Sequence, residues 1–192
     1  MRNLDANGME RVRMLSWLLA VSLLLLAIKF TAYFLTKSNA ILTDALESIV
    51  NVVAGAFALF SIYYASQPKD ENHPYGHGKI EFLSAGFEGG LIFIAGVSII
   101  ANSVYSIFIP SKLQQPETGA WLTALTGGIN FIMGSLLVKR GKNSGSLLMT
   151  ASGKHLISDT LSSVGLVVGL VLIWITGWYW IDLIMAIGFG IA

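Results

Sequence analysis

The chain has 192 residues, of which 54% are hydrophobic and only 12% charged, with a formal net charge of +1. A soluble domain carries about 25% charged residues, so a soluble enzyme fold is excluded. The net charge by itself says nothing about nucleic acid, but there is no basic tail, and no nucleic-acid partner is expected. Cysteine is absent, which removes disulfides and thiolate metal ligands.

Six apolar blocks account for the missing charge. In chain order they cover approximately residues 15–35, 40–65, 82–109, 121–138, 147–175 and 178–192. Each of the first five meets or approaches the ~20 residues with which a helix crosses a ~30 Å hydrocarbon layer. The ~10-residue alternating strands of a membrane β-barrel look nothing like these unbroken runs. The expected fold class is all-α, a polytopic membrane protein built as a six-transmembrane-helix bundle. The first block follows Arg11 and Arg13, carries Lys29 inside it and lacks a cleavage site, so it reads as a retained helix and not as a signal peptide. The sixth is short for a span, and residues 1–192 read as the membrane part of a longer protein.

Lys and Arg on alternate loops set the orientation. Arg2, Arg11, Arg13, Lys69, Lys79, Lys139, Arg140 and Lys142 fall on one side, against Lys37 and Lys112 on the other. This bias places the amino terminus in the cytoplasm, and six spans return the carboxyl end to the same side. The connections are a short outer turn at 36–39, a polar cytoplasmic loop at 67–80, an outer turn at 110–120 and a basic, flexible cytoplasmic link at 139–146. Gly86 with Gly90, and Gly165 with Gly169, form G-x-x-x-G pairs of the kind that let helices approach closely.

Ionisable residues inside spans are costly and are functional candidates by default. Span two places Asp44, Glu47, Ser48 and Asn51 on one helical stripe. Span five places His155 and Asp159 four apart on one face. At a rise of ~1.5 Å per residue, Glu47 lies ~12 Å and Asn51 ~18 Å below the outer end of span two, while His155 and Asp159 lie ~12 and ~18 Å above the inner end of span five. Glu47 then meets Asp159, and Asn51 meets His155, near the midplane. Two carboxylates, an imidazole and an amide oxygen suit a divalent first-row metal. The alternative is a structural hydrogen-bond network between helices. Asp44 stands higher on the stripe and is an accessory candidate for an outer vestibule. Glu88 in span three is either an accessory proton or ion group or a helix–helix contact. Lys29 is read as a structural counter-ion, and Asp182 as facing the outer interface. In the cytoplasmic loop, Asp70, His73 and His77 form a second candidate metal site, with turn capping as the alternative.

The strings LTDALESIVN, HPYGHGKIE and KHLISDTLSS, in this order, resemble the cation diffusion facilitator (cation efflux) family along the whole chain. The resemblance implies a divalent-metal/proton antiporter of the bacterial type, multi-pass in the cytoplasmic (inner) membrane and homodimeric. It carries the transport site to Glu47, Asn51, His155 and Asp159, with Glu and Asn where members commonly have His or Asp followed by Asp. It carries the loop site to Asp70, His73 and His77, and gives Lys79 a place in a charge cluster at the dimer's membrane–cytoplasm junction. A cytoplasmic metal-sensing domain is expected after residue 192. The expected function is proton-coupled efflux of a divalent transition metal, zinc first, with iron, manganese, cobalt or cadmium as the others. The metal and the protons are cargo, and no prosthetic group is expected. The alternative is a member that does not pump and uses its metal site for structure or regulation. An enzyme is not expected, since no H-E-x-x-H occurs.

Overall fold

The computed structural model describes residues 6–65, 67, 76–108 and 113–191, which form helices and short connections with no strand among them. The order is α1 (Ala6–Thr36), α2 (Asn39–Ala65), α3 (Lys79–Phe108), α4 (Pro116–Ser144), α5 (Leu147–Thr176) and α6 (Trp180–Ile191). Four segments are long and apolar enough to cross a membrane, namely Val12–Thr36, Asn39–Ala65, Pro116–Ser144 and Leu147–Thr176. The apolar part of α3 is the shorter Phe82–Ser98. Large apolar side chains such as Trp17, Phe60, Phe93, Trp121 and Trp174 point outward, as a lipid-facing surface requires.

The helix ends have local causes. Lys37 takes a positive φ of 56° between α1 and α2, and its N–H bonds back to Tyr33 at 2.7 Å. Gln115 has φ 44°, and Pro116 then opens α4, where its missing N–H goes unused. The helix therefore takes in half of the expected outer turn. At its far end α4 continues through Lys139–Ser144, a stretch expected to be a flexible link. Lys139, Arg140 and Lys142 are good helix formers, and the helix winds on through Gly141, which packs against Thr150 of α5. Gly145 turns left-handed at φ 65°, and the Ser146 N–H reaches Gly141 O at 2.9 Å. The Ser146 hydroxyl accepts from Met149 N–H as the cap of α5, so the link is two residues long.

The pair α4 and α5 makes the most extensive interface among the described residues. Glycines allow the approach: a Cβ on Gly134 would stand 2.8 Å from Gly153 O, and one on Gly153 would stand 2.7 Å from Val138 N. Gly86 and Gly90, expected to serve close packing, have nothing within 4 Å of an added Cβ. Two apolar clusters fill the bundle. One joins Leu15, Leu18, Ala58, Ile62, Leu137, Leu148 and Leu156. The other joins Ala32, Ala40, Ile41, Ala120, Leu166, Leu170 and Ile173. Along α1, α2 and α5 the polar residues of the membrane interior fall between these two clusters.

Candidate metal centre

Antiparallel α2 and α5 bring Glu47, His155 and Asp159 together, with one ligand atom from each lying within 4.8 Å of the others. Asp159 is 2% exposed, and Glu47, Asn51 and His155 are partly buried. Asn51 lies between the other helix's two residues. Its Nδ2 donates to Asp159 Oδ2 at 2.7 Å, and its Oδ1 meets His155 Nε2 at 2.8 Å. A carboxylate only accepts, so the amide orientation follows from the network, and Nε2 must carry the proton that Oδ1 receives. In a neutral imidazole this leaves the lone pair on Nδ1, the nitrogen that faces Asp159 Oδ1 at 3.6 Å. Two carboxylates and a nitrogen with a free lone pair thus converge in a membrane interior, a donor set for a divalent cation.

The surroundings hold the set in place. Lys29 Nζ on α1 donates to Asp44 Oδ1 on α2 at 2.8 Å, with both side chains buried. Glu88 on α3 accepts from Ser152 Oγ on α5 at 3.0 Å, three residues before His155. Asp182 is buried and does not face the outer interface. It accepts from the Ser38 hydroxyl, from Asn39 N–H at 2.7 Å and from Ala40 N–H at 3.3 Å. An acidic side chain from α6 therefore caps the amino-terminal end of α2, where the helix dipole favours negative charge. Ser38 before an apolar helix is a capping signal in the sequence, but its distant partner left none.

Residues 16–192 match the family model described as the cation efflux transmembrane domain. The chain belongs to the cation efflux family. It is 36% identical over 90% of its length to an uncharacterized transporter of Synechocystis, sll1263, of which it covers 56%. It is 31% identical over 82% of its length to the metal cation efflux system protein CzcD of Cupriavidus metallidurans, covering 49% of that protein. With the cation-efflux pump FieF of Salmonella typhi it shares 29% identity over 90% of its own length and 57% of the relative's. The chain spans about half the length of these curated relatives. Cation efflux members are transporters, and this one is an integral membrane protein.

The loop candidates of this cation efflux chain are only partly placed. Asp70 and His73 lie outside the described residues. His77 is 5% exposed and stands edge-on to the Tyr64 ring, with centroids 4.6 Å apart. It therefore joins the end of α2 to the start of α3. Lys79 is exposed at the first position of α3.

Proposed function

We propose that this chain is the membrane domain of a proton-coupled exporter of divalent transition metal, zinc first. Glu47, His155 and Asp159 bind the ion, and the Asn51 oxygen, which has a second lone pair, is the fourth donor. The convergence of Glu47, His155 and Asp159 from two antiparallel helices is the observation that carries this reading. Six spans keep both termini in the cytoplasm, in a bacterial inner membrane. Rocking of the bundle exposes the site to one side at a time. From the cytoplasm the deprotonated ligands take the metal, and protons from outside displace it. Asp70, His73 and His77 form a weaker loop site, Lys79 contributes to the junction of a homodimer, and Glu88 is an accessory group near His155. The relatives' greater length leaves room for a further domain outside the segment they share with this chain.

The neutral amide of Asn51 favours a second reading, in which the site binds metal for structure or regulation without moving it. Reconstitution in sealed vesicles separates the two. Zinc flux that responds to an imposed proton gradient is expected of the exporter, whereas binding without flux would support the second reading. A protein that neither binds nor moves zinc, iron, manganese, cobalt or cadmium would overturn both.

A further inference from the structure

We propose that Lys29 is a fixed counter-charge that sets how tightly the α2–α5 site holds its cation, by cancelling the charge of Asp44. The inference rests on the metal-binding reading above. Lys29 is 3% exposed and lies within a membrane-spanning helix, where an ammonium is expensive to hold. A buried ion pair is a weak source of stability, because desolvation consumes most of its Coulomb attraction. The pair therefore needs a reason beyond packing, and its position supplies one.

Asp44 precedes Glu47 by three residues on the same helix, so its carboxylate stands beside the site. Lys29 holds Asp44 Oδ1 at 2.8 Å. Asp44 Oδ2 is buried without a hydrogen-bond partner among the described residues. Among the described residues, the ammonium is thus what neutralises this carboxylate. Asp159 and Glu47 also act on Lys29 electrostatically. With Asp44, Glu47 and Asp159 ionised and the imidazole neutral, these three carboxylates and Lys29 carry three negative charges and one positive, Glu88 being held apart by its bond from Ser152. The remainder is two negative charges, which a divalent ion balances. Without Lys29 a third uncancelled carboxylate would hold the ion too firmly to release it. Without Asp44 the ammonium would oppose the ion.

Opposite signs distinguish this role from a structural one. The test is zinc affinity of the purified protein, measured by competition with a chromogenic chelator, with vesicle flux and thermal melting alongside. Lys29→Met is expected to tighten zinc binding about tenfold and slow flux, and Asp44→Asn to weaken binding about tenfold. The double variant is expected to return to within about twofold of the parent, and Lys29→Arg to match it. A purely structural pair would move both single variants in the same direction, and that result overturns the proposal. Should Lys29→Met fail to fold, Asp44→Asn is compared with the double variant, where adding Lys29→Met must recover affinity. A parent that binds no zinc overturns the metal reading itself. A parent that binds zinc while both single variants weaken overturns the counter-charge alone.

Discussion

Asn51 on α2 donates its amide nitrogen to Asp159 on α5 at 2.7 Å, tying the two helices at the level of the candidate metal centre. The same side chain receives the Nε2 proton of His155. One residue thereby orients both members of the His155–Asp159 pair and selects Nδ1 as the nitrogen left for a cation.

Asn51→Asp keeps the acceptor toward His155 and loses the donor toward Asp159. It adds a negative charge within ~4 Å of a bound ion, worth about 4 kcal/mol of attraction per unit charge at an effective dielectric of ~20, part of which desolvation offsets. Zinc binding is expected to tighten and release to slow, with the preference moving toward manganese. Affinity and flux measured for both metals check this. Unchanged affinity and ranking would remove Asn51 from the site.

Asp159→Ala takes away one of two carboxylates and is expected to abolish zinc binding and flux. It also strands the Asn51 amide nitrogen, at a cost of about 1–3 kcal/mol in stability. The variant should still insert in the membrane, with a lowered melting temperature. Undiminished zinc flux would rule out the four-residue site.

The loop differs from the interior site in being partly structural. His73 and His77 replaced together by Ala should reduce the number of metal ions bound per chain yet leave substantial flux. His77→Ala alone should lower the melting temperature, since an aromatic pair contributes about 0.5–1.5 kcal/mol beyond its buried area. Complete loss of flux in a well-folded double variant would make the loop an obligatory part of the path.

Gly153→Val is aimed at the α4–α5 approach. A side chain there meets the backbone of Val138 and the Cβ of Leu137, at 2.7 and 2.8 Å, and backbone cannot step aside. The helices must separate, displacing His155 two residues on. Loss of metal binding with a lowered melting temperature is expected. Gly86→Val, which meets nothing within 4 Å, should leave both unchanged.

The interior site was legible in the sequence because helix rise and bilayer thickness are both nearly constant. Depth along α2 and α5 then decides which residues face one another, and Glu47, Asn51, His155 and Asp159 do meet. Partners from other helices were not legible, since no period relates α1 to α2. Lys29 was readable as a counter-ion, but its pairing with Asp44 was not. The G-x-x-x-G spacing pointed to Gly86 and Gly90, where nothing approaches, and to Gly169, where an added Cβ would run into Met185 of α6, because it names a smooth stripe and not the helix that covers it. Gly134 and Gly153, which set the α4–α5 approach, lie outside both pairs. The basic stretch at 139–146 looked like a loop because it is polar, yet polarity on a helix that outlasts the bilayer is compatible with continued winding.

Asp182→Ala removes the acidic cap of α2. Loss of a capping side chain costs about 0.5–2 kcal/mol, so a lower melting temperature is expected, with Asp182→Asn intermediate because it keeps an acceptor oxygen. Identical melting of all three proteins would show that water replaces the cap.

The Ser38–Asp182 contact closes a sequence separation of 144 residues. During synthesis α2 enters the bilayer long before Asp182 has been made, so its first amides wait without their acidic partner. The helix that carries Glu47 and Asn51 gains its acidic cap only when α6 arrives.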